Sequence, residues 1–442
     1  MLNKLRNSDF LKRGSITIFQ RGMGAVLSFV ILLFITNLFP ESEVGKYQYF
    51  NAVLVIVGTL ALLGLNVSFI QQIGRLKAAA QEEFVPKLYQ YYFGILFISS
   101  LIIIGIYFLL EKTLLHQIIP PDEKLIFQQI ALILFPYCLT VLNFQVLLGL
   151  NKLYLSEFFR NIFKFLVIFL AFLIIYIFNY HHHLIEAFIA ANIFIAFISS
   201  VYVLISLKKD FALPKTTLKL PFSAKKIIGV SLPMTLSFIS LLMMQNMDML
   251  MLKIHEPYET LAYYGIAIKI SMILTIIMTA VNQSTGPKIA EYFYKNQYLD
   301  LKNIVEKGLL LNNVLSLPVM LLVVIFPKTI LGLFGGEYVN AVGALVILTV
   351  GQIINAFSGS TDLYLNMTGK QNYFQKIIFL ALLLNIVLNY TLIPLYGMEG
   401  AAIATSTSLV FWNVLSVIHI KKKDNIWVVL TYGVIKKYLK KK

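Results

Sequence analysis

Long apolar runs separated by short polar segments repeat along the chain. A helix needs about 20 consecutive apolar residues to cross the hydrocarbon of a bilayer. Runs of this length, bounded by charge, proline or glycine, predict twelve membrane-spanning helices: 15–39, 48–72, 91–110, 125–149, 159–178, 184–207, 229–252, 260–285, 307–327, 338–364, 375–394 and 399–420. The first run is too long for a secretory signal peptide and is followed by no small-residue cleavage site, so we expect it to remain in the chain.

The composition agrees with a membrane protein and excludes several other classes. Of the 442 residues, 58% are hydrophobic and 13% are charged, whereas soluble domains carry about 25% charged residues. This balance excludes a soluble enzyme, a disordered chain and a disulfide scaffold. The single cysteine, Cys138, cannot form an intrachain disulfide. We therefore expect an all-α, polytopic membrane protein.

The positive charge is placed asymmetrically around the predicted spans. The net charge is +16, and most of the 37 Lys and Arg residues fall on the side of the N-terminus, above all in segments 208–228 and 421–442. Loops rich in Lys and Arg stay in the cytoplasm, so both termini are predicted to be cytoplasmic. The same lysines can hold anionic lipid headgroups. A nucleic-acid partner is not expected.

Weak internal repeats divide the chain into two halves. Pro40 and Tyr47 follow the first span at the same spacing as Pro257 and Tyr264 follow the seventh. Two halves of six spans have the same orientation, because six is even. The predicted organisation is an N-lobe over 1–207, a basic linker over 208–228, a C-lobe over 229–420 and a basic amphipathic tail over 421–442. A substrate path between the halves is the expected consequence.

Several segments resemble a known superfamily of exporters. They are PESEVGKYQYF and GLNVSFIQQIG near the start, then LPMTLSFISLLMMQNMDMLML, LAYYGIAIKI and GPKIAEYF, and finally LFGGEYVNAVGALVILTVGQII, MTGKQNYF and IPLYGMEGAAIATSTS. Their order resembles the multidrug/oligosaccharidyl-lipid/polysaccharide exporter superfamily. Within it, the chain is most similar to Wzx-type polysaccharide flippases, which move O-antigen or capsule precursors.

The resemblance implies a fold, a substrate and a location. The fold is a V-shaped pair of six-helix lobes that works by alternating access. The substrate is a polyprenyl-diphosphate-linked oligosaccharide for lipopolysaccharide, O-antigen or another surface polysaccharide. The location is a bacterial inner membrane, with polysaccharide polymerase and glycosyltransferases as further partners. A multidrug or organic-cation antiporter of the same superfamily is the first alternative. A membrane-bound sugar polymerase or ligase is the second, and the short outer loops disfavour it.

Three charged residues within predicted spans are candidate functional residues, because a charge inside the bilayer usually faces a cavity or a partner. Arg21 lies on a small and polar face of the first span and either lines a substrate cavity or reaches the cytoplasmic headgroups. Lys269 lies too deep in the eighth span for its side chain to extend to the headgroups. It either contacts substrate or forms an ion pair with Asp248. Asp248 either couples transport to protons or sodium or neutralises Lys269. The resemblance adds weight to both cations, because the lipid II flippase of the superfamily carries required arginines in the corresponding helices.

Uncharged polar residues in the spans are weaker candidates for a cavity lining. They are Asn51, Asn66, Gln145, Gln245, Asn282, Gln352 and Asn355, and hydrogen bonding between helices is the alternative for each. Asp362 is expected to be solvated, and His181, His182 and His183 are expected to form a solvated loop without a metal. The sequence contains no Walker A motif, HExxH motif or Cys/His cluster, which indicates that no ATP or other cofactor is bound.

Overall fold

Every described element of the chain is helical, as the hydropathy pattern predicts. The computed structural model describes residues 2–113, 121–211, 224–431, 433, 436 and 437, and there is no strand among them. The α-helices are α1 (Leu2–Leu38), α2 (Glu41–Leu62), α3 (Leu65–Ala78), α4 (Val85–Thr113), α5 (Pro121–Gly149), α6 (Leu153–Phe158), α7 (Lys164–Ile177), α8 (Leu184–Asp210), α9 (Ala224–Lys253), α10 (Tyr258–Tyr294), α11 (Tyr298–Ile325), α12 (Pro327–Gly332), α13 (Val342–Ser358), α14 (Thr361–Met367) and α15 (Gln371–Asp424). A π-helix (Phe159–Phe163) joins α6 to α7, and 3₁₀-helices (Glu82–Phe84 and Gly336–Ala341) precede α4 and α13.

Many of these helices are long and apolar enough to cross a bilayer. Among the described residues, 8 stretches meet this condition: Phe19–Leu38, Glu82–Glu111, Glu123–Gly149, Leu153–Ile177, Leu184–Asp210, Tyr298–Ile325, Gly336–Ser358 and Gln371–Asp424. The chain is therefore an all-α polytopic membrane protein. Twelve spans in two six-helix lobes stay a prediction.

The outer surface of α4 shows why the fold suits a lipid environment. Phe97, Ile98, Leu101, Ile102 and Leu109 are exposed by 44, 58, 50, 55 and 67% respectively. Apolar surface of this extent is unfavourable in water. In hydrocarbon it carries no such cost, because the lipid tails are as apolar as these side chains.

The second predicted span, 48–72, is not one continuous helix. Helix α2 ends at Leu62 and α3 begins at Leu65. Leu63 and Gly64 between them have φ values of 47° and 72°, in the left-handed region. Two left-handed residues in succession interrupt the helical hydrogen bonds. Hydropathy reports the apolar run and not the backbone angles, so the prediction of a single helix was wrong here.

The last two predicted spans, 375–394 and 399–420, lie on the two sides of a kink in α15. Gly397 has φ 53° and ψ −130°, which are not helical angles. Glycine lacks a Cβ atom and adopts such angles at little cost. Pro394 lies one turn earlier and has no N–H to donate. The helix therefore changes direction between the two apolar runs.

The chain divides into two compact units, Met1–Ile239 and Ser240–Lys442. In the first unit α5 packs against α8, α2 and α3, and α1 contacts α6 and α7. In the second unit α13 packs against α15, α10 and α11, and α10 packs along α11. The lobe and linker boundaries at 207, 228 and 420 stay predictions.

Part of the predicted amphipathic tail over 421–442 packs against the second unit. Helix α15 continues to Asp424, and residues 425–431 are not helical. Ile426 and Val428 are 4 and 2% exposed and belong to the hydrophobic core of the second unit. The Leu430 N–H donates a hydrogen bond to the Phe357 carbonyl over 3.0 Å. Ile426 and Val428 therefore pack on the protein. Most of the predicted tail beyond 431 lies outside the described residues.

Candidate functional site

Arg21 forms a two-pronged ion pair in the first unit. Its Nε donates to Glu157 Oε2 over 2.8 Å, and its Nη2 donates to Glu157 Oε1 over 2.9 Å. The Arg21 side chain is 43% exposed, whereas that of Glu157 is 1% exposed. Two parallel charge-assisted bonds fix the plane of the guanidinium. The predicted cation is therefore already neutralised by a buried carboxylate that the sequence pattern did not single out.

The local fold places Glu157 against α1. It lies near the end of α6, and the π-helix Phe159–Phe163 follows directly. Asn161 in the π-helix donates from Nδ2 to Glu157 Oε2 over 2.9 Å. A Cβ atom on Gly24 would lie 2.6 Å from the Asn161 carbonyl oxygen, so glycine is needed for α1 to approach this closely. π-Helical turns occur often at functional sites. The sequence marks Arg21 because it lies within a predicted span, but Glu157 lies just before the predicted span 159–178 among other polar residues and does not stand out.

The predicted polar residues of the first unit are not hydrogen-bonded to the Arg21–Glu157 pair. Asn51, Asn66 and Gln145 lie on α2, α3 and α5 and are half-buried. The buried polar network of this unit surrounds Asn143 instead. Asn143 accepts from Tyr89 Oη over 2.9 Å, and its Nδ2 donates to Ser199 Oγ over 3.0 Å and to Ser200 Oγ over 2.9 Å. These bonds join α4, α5 and α8, which indicates a structural role for the network.

A second buried carboxylate, Asp248, lies on α9 in the second unit and is 1% exposed. Tyr264 Oη donates to Asp248 Oδ2 over 2.7 Å, and Thr405 Oγ1 donates to the same oxygen. Asn389 Nδ2 donates to Oδ1 over 2.8 Å, and Asn385 Nδ2 donates to Oδ1 over 3.4 Å. Four neutral donors from α10 and α15 thus surround one carboxylate. Such donors favour its charged form and partly offset the cost of burying it.

The expected ion pair between Asp248 and Lys269 is not formed. Among the described residues, Lys269 has no hydrogen bond or ion pair, and its side chain is exposed. The carboxylate oxygens of Asp248 are occupied by the four neutral donors. Positions 248 and 269 lie on neighbouring helices, but sequence spacing cannot show whether two side chains on different helices point toward each other. The substrate role predicted for Lys269 stays a prediction.

A cavity of about 290 Å³ lies beside Asp248 within the second unit. Four of the predicted polar residues line it, namely Gln245, Asn282, Gln352 and Asn355. Asp248, Asp362, Met244, Met272, Thr275, Trp412 and Phe374 complete much of its wall. No Lys or Arg lies among the described lining residues, and Lys269 is not part of the wall. The expectation that Asp362 is solvated was wrong, because Asp362 lines this cavity and its Oδ1 is buried.

Hydrogen bonds hold the polar wall of the cavity in place. Asn413 Nδ2 donates to Asn355 Oδ1 over 2.9 Å, and Asn355 Nδ2 donates to Gln352 Oε1 over 3.1 Å. Thr361 Oγ1 donates to Asn413 Oδ1 over 3.2 Å. The amides of Asn355 and Gln352 are therefore oriented by bonds between α13, α14 and α15. The two units thus differ in charge: the first places an arginine beside a carboxylate, and the second places two carboxylates beside amides and hydroxyls.

Comparison with solved structures identifies the fold. An inward-facing multidrug-resistance MATE transporter of the MOP superfamily matches with a TM-score of 0.74 at 14% identity, over 96% of this chain and 98% of that one. A lipid II flippase in an inward closed conformation matches with a TM-score of 0.72 at 14% identity, over 98% of this chain and 93% of that one. At these identities the likeness concerns the fold alone.

Curated relatives match parts of the chain. A probable flippase of Haloferax volcanii is 28% identical over 174 residues, which cover 39% of this chain and 37% of the relative. A putative O-antigen transporter of Shigella flexneri is 25% identical over 154 residues, which cover 34% of this chain and 36% of the relative. The chain thus matches well under half the length of these relatives.

Family models give the broadest match. The MatE model matches residues 233–391, and the model for polysaccharide biosynthesis proteins matches residues 10–293. The second match covers more than half of the chain and includes Arg21, Glu157, Asp248 and Lys269. The chain therefore belongs to the polysaccharide biosynthesis protein family.

Proposed function

We propose that this protein is a flippase that moves a polyprenyl-diphosphate-linked oligosaccharide across the plasma membrane for the synthesis of a surface polysaccharide. The observation that carries the proposal is the match to the polysaccharide biosynthesis family over residues 10–293. Relatives named as a flippase and as a putative O-antigen transporter support it. The proposal assigns transport, and not an enzymatic reaction, to the chain.

The proposed arrangement is twelve spans in two lobes, with both termini in the cytoplasm of a bacterium and with alternating access between the two sides of its inner membrane. The asymmetry of Lys and Arg along the sequence supports this orientation. Anionic lipids are proposed partners of the basic segments, and polymerase and glycosyltransferases are proposed partners in the pathway.

Arg21 and Lys269 are the proposed sites for the anionic diphosphate. Arg21 presents a planar fork of donors, which suits phosphate oxygens, and it remains 43% exposed beside Glu157. A diphosphate at Arg21 would compete with the Glu157 carboxylate. Lys269 is exposed and has no competing carboxylate among the described residues. Each hydrogen bond to a charged group contributes about 1.5 to 3 kcal/mol, so each cation strengthens capture about tenfold or more.

Asp248 is the proposed group for coupling transport to protons or sodium. Lys269 does not pair with this carboxylate, so that lysine does not neutralise the negative charge inside the second unit. The Asn389 Oδ1 atom next to it is buried and has no hydrogen-bond partner among the described residues. An oxygen without a donor beside a carboxylate suits a small cation, because hard cations prefer oxygen ligands.

A multidrug or organic-cation antiporter is the second candidate. The observation that favours it is the cavity of the second unit, whose described wall contains Asp248 and Asp362 and no Lys or Arg. The MatE match over residues 233–391 covers much of that wall. An organic cation would be stabilised by these carboxylates, whereas a diphosphate would be repelled.

The two candidates differ in their dependence on Lys269, which can be tested by substitution. In cells that lack their own flippase and express this protein, we expect Lys269→Ala to reduce surface polysaccharide about tenfold or more and Lys269→Arg to retain it. Lys288→Ala is the matched control, because Lys288 is also an exposed lysine of α10. Membrane abundance is measured for each variant. Normal polysaccharide with Lys269→Ala would contradict the role proposed for Lys269. No polysaccharide with the unsubstituted protein, together with proton-driven export of an organic cation, would contradict the flippase proposal.

A further inference from the structure

Two side chains that line the cavity of the second unit each carry a buried polar atom that has no partner among the described residues. Trp412 is 7% exposed and lines the cavity, and its Nε1 donor has no hydrogen-bond partner among the described residues. Asp362 lines the same cavity, and its buried Oδ1 acceptor also has no partner among the described residues. Leaving a buried polar atom unpaired is costly, so each such atom in a folded protein needs an explanation. A ligand that both accepts and donates hydrogen bonds would give each of these two atoms a partner.

We propose that this cavity binds one uncharged monosaccharide unit of the oligosaccharide, apart from its diphosphate. This inference rests on the proposed flippase function and deepens it. Sugar hydroxyls both accept and donate hydrogen bonds, so a sugar offers partners of the right kind for the Trp412 donor and for the Asp362 acceptor. The oriented amides of Gln352 and Asn355 offer further donors and acceptors. The apolar side chains of Met244, Met272 and Phe374 face the remaining surface of the cavity.

A neutral ligand fits the hydrogen-bonding groups of the cavity better than a diphosphate or an organic cation does. A diphosphate would meet Asp248 and Asp362 with no Lys or Arg among the described lining residues to neutralise it. An organic cation without lone pairs could pair with Asp362 but would leave the Trp412 donor unpaired. A neutral polyol is the class that leaves neither the donor nor the acceptor unpaired.

The size of the cavity sets the length of the ligand. Its volume of about 290 Å³ lies at the lower end of the range for small-molecule sites, which is roughly 300 to 1,000 Å³. This space suits a single sugar ring and excludes a long oligosaccharide. The rest of the glycan must therefore lie outside this cavity, and the cavity would select for one sugar of the repeat.

Tryptophan fluorescence gives a direct test, because the chain has 2 tryptophans. Trp427 is 53% exposed, and Trp427→Phe leaves Trp412 as the only emitter. The protein is placed in nanodiscs of phosphatidylethanolamine and phosphatidylglycerol, which carry no sugar headgroups. It is titrated with glucose, galactose, mannose, N-acetylglucosamine and N-acetylgalactosamine, and separately with pyrophosphate and tetraphenylphosphonium. We expect at least one sugar to change the Trp412 emission saturably, and neither pyrophosphate nor tetraphenylphosphonium to displace it.

Substitution of Asp362 tests the geometry. In the same Trp427→Phe background, Asp362→Ala should weaken sugar binding about tenfold or more, since a hydrogen bond to a charged group is lost. Asp362→Asn keeps an acceptor oxygen, so its sugar affinity should be intermediate. This second variant keeps the proposal testable if the alanine variant does not fold. Asp300→Ala, at an exposed acid of α11, should bind as the parent protein does.

Three results would overturn the proposal: no response to any of the five sugars, unchanged binding in both Asp362 variants, or displacement of the sugar by tetraphenylphosphonium. The surface-polysaccharide assay is run on the same proteins. If polysaccharide is exported normally while no sugar binds Trp412, the cavity proposal fails and the flippase proposal stands. If a sugar binds but no polysaccharide is exported, the flippase proposal fails and the cavity remains a sugar site.

Discussion

At the scale of single residues, a buried charge depends on the partners that compensate it. Glu157 and Asp248 are both 1% exposed, but they are compensated differently. Glu157 has a charged partner in Arg21, whereas Asp248 has four neutral donors. Removing one partner of a buried ion pair leaves an uncompensated charge, which costs more than the pair itself contributed. Substitutions at Arg21 therefore change stability as well as substrate binding.

We predict that Arg21→Ala destabilises the first unit. It leaves the buried Glu157 carboxylate without its cation, which costs roughly 1 to 3 kcal/mol, between the values for exposed and fully buried pairs. Glu157→Gln in addition should recover part of the loss, because the buried group is then neutral. The measurement is the thermal midpoint of the purified protein in detergent. The control is Lys295→Ala, since Lys295 and its partner Glu291 are 58 and 52% exposed. Equal midpoints for Arg21→Ala and the control would contradict the prediction.

For Asp248, we predict that Asp248→Asn stops gradient-driven export in proteoliposomes. The amide replaces an acceptor-only carboxylate and removes its negative charge, so a coupling cation is no longer attracted. Because the structure contains no Asp248–Lys269 pair, adding Lys269→Met should not restore export. Asp300→Asn serves as the control for loss of an exposed acid. Restoration by the double substitution at normal abundance would show that the two charges neutralise each other in some other conformation.

At the scale of elements, breaks in the helices matter as much as the helices. The hydropathy pattern predicts α4, α5, α8 and α11 well, because burial in lipid requires long apolar runs and little else. It fails at the Leu63–Gly64 break and beyond Asp424, where backbone angles and tertiary packing decide the structure.

The candidate site is likewise only partly predictable from the sequence. Polar residues inside spans are visible in the sequence, and four of them line the cavity. The Arg21–Glu157 pair is not visible, because it joins helices far apart in the chain.

The kink in α15 provides a prediction at this scale. Gly397→Ala would place a side chain at φ 53°, and its Cβ would lie 2.7 Å from Glu256 Oε1. Positive φ at a residue with a Cβ costs on the order of 1–3 kcal/mol. The thermal midpoint should fall accordingly. Gly332→Ala is the control, because no heavy atom lies within 4 Å of its added Cβ and its φ is not positive. A midpoint that falls no further with Gly397→Ala than with the control would show that the kink tolerates a side chain.

At the scale of the whole molecule, the two units carry different chemistry. In the first unit, the Arg21 cation is paired with the Glu157 carboxylate. In the second unit, a cavity is lined by amides, hydroxyls and two carboxylates. A lipid-linked oligosaccharide is also divided, into an anionic diphosphate and a largely neutral glycan. Placing the diphosphate at Arg21 and one sugar in the cavity follows this division, and Lys269 of the second unit is the second site proposed for the diphosphate.

Orientation of the two halves is the last prediction, and cysteine labelling can measure it. The only cysteine, Cys138, is buried, so Cys138→Ser provides a cysteine-free background. Tyr180 and Leu333 are each 59% exposed and lie in predicted outer segments of the two halves, and Leu299 is 75% exposed in a predicted cytoplasmic segment. In intact cells, an impermeant maleimide should label Tyr180→Cys and Leu333→Cys, and should label Leu299→Cys only after permeabilisation.

The comparison of Tyr180→Cys with Leu333→Cys tests the repeat itself. Tyr180 follows the predicted fifth span and Leu333 follows the predicted ninth, so four crossings separate them and both should face the same side of the membrane, since an even number of crossings returns the chain to its starting side. Labelling of one position and not of the other in intact cells would mean that an odd number of crossings separates Tyr180 from Leu333. The predicted arrangement of two six-span halves in one orientation would then be wrong.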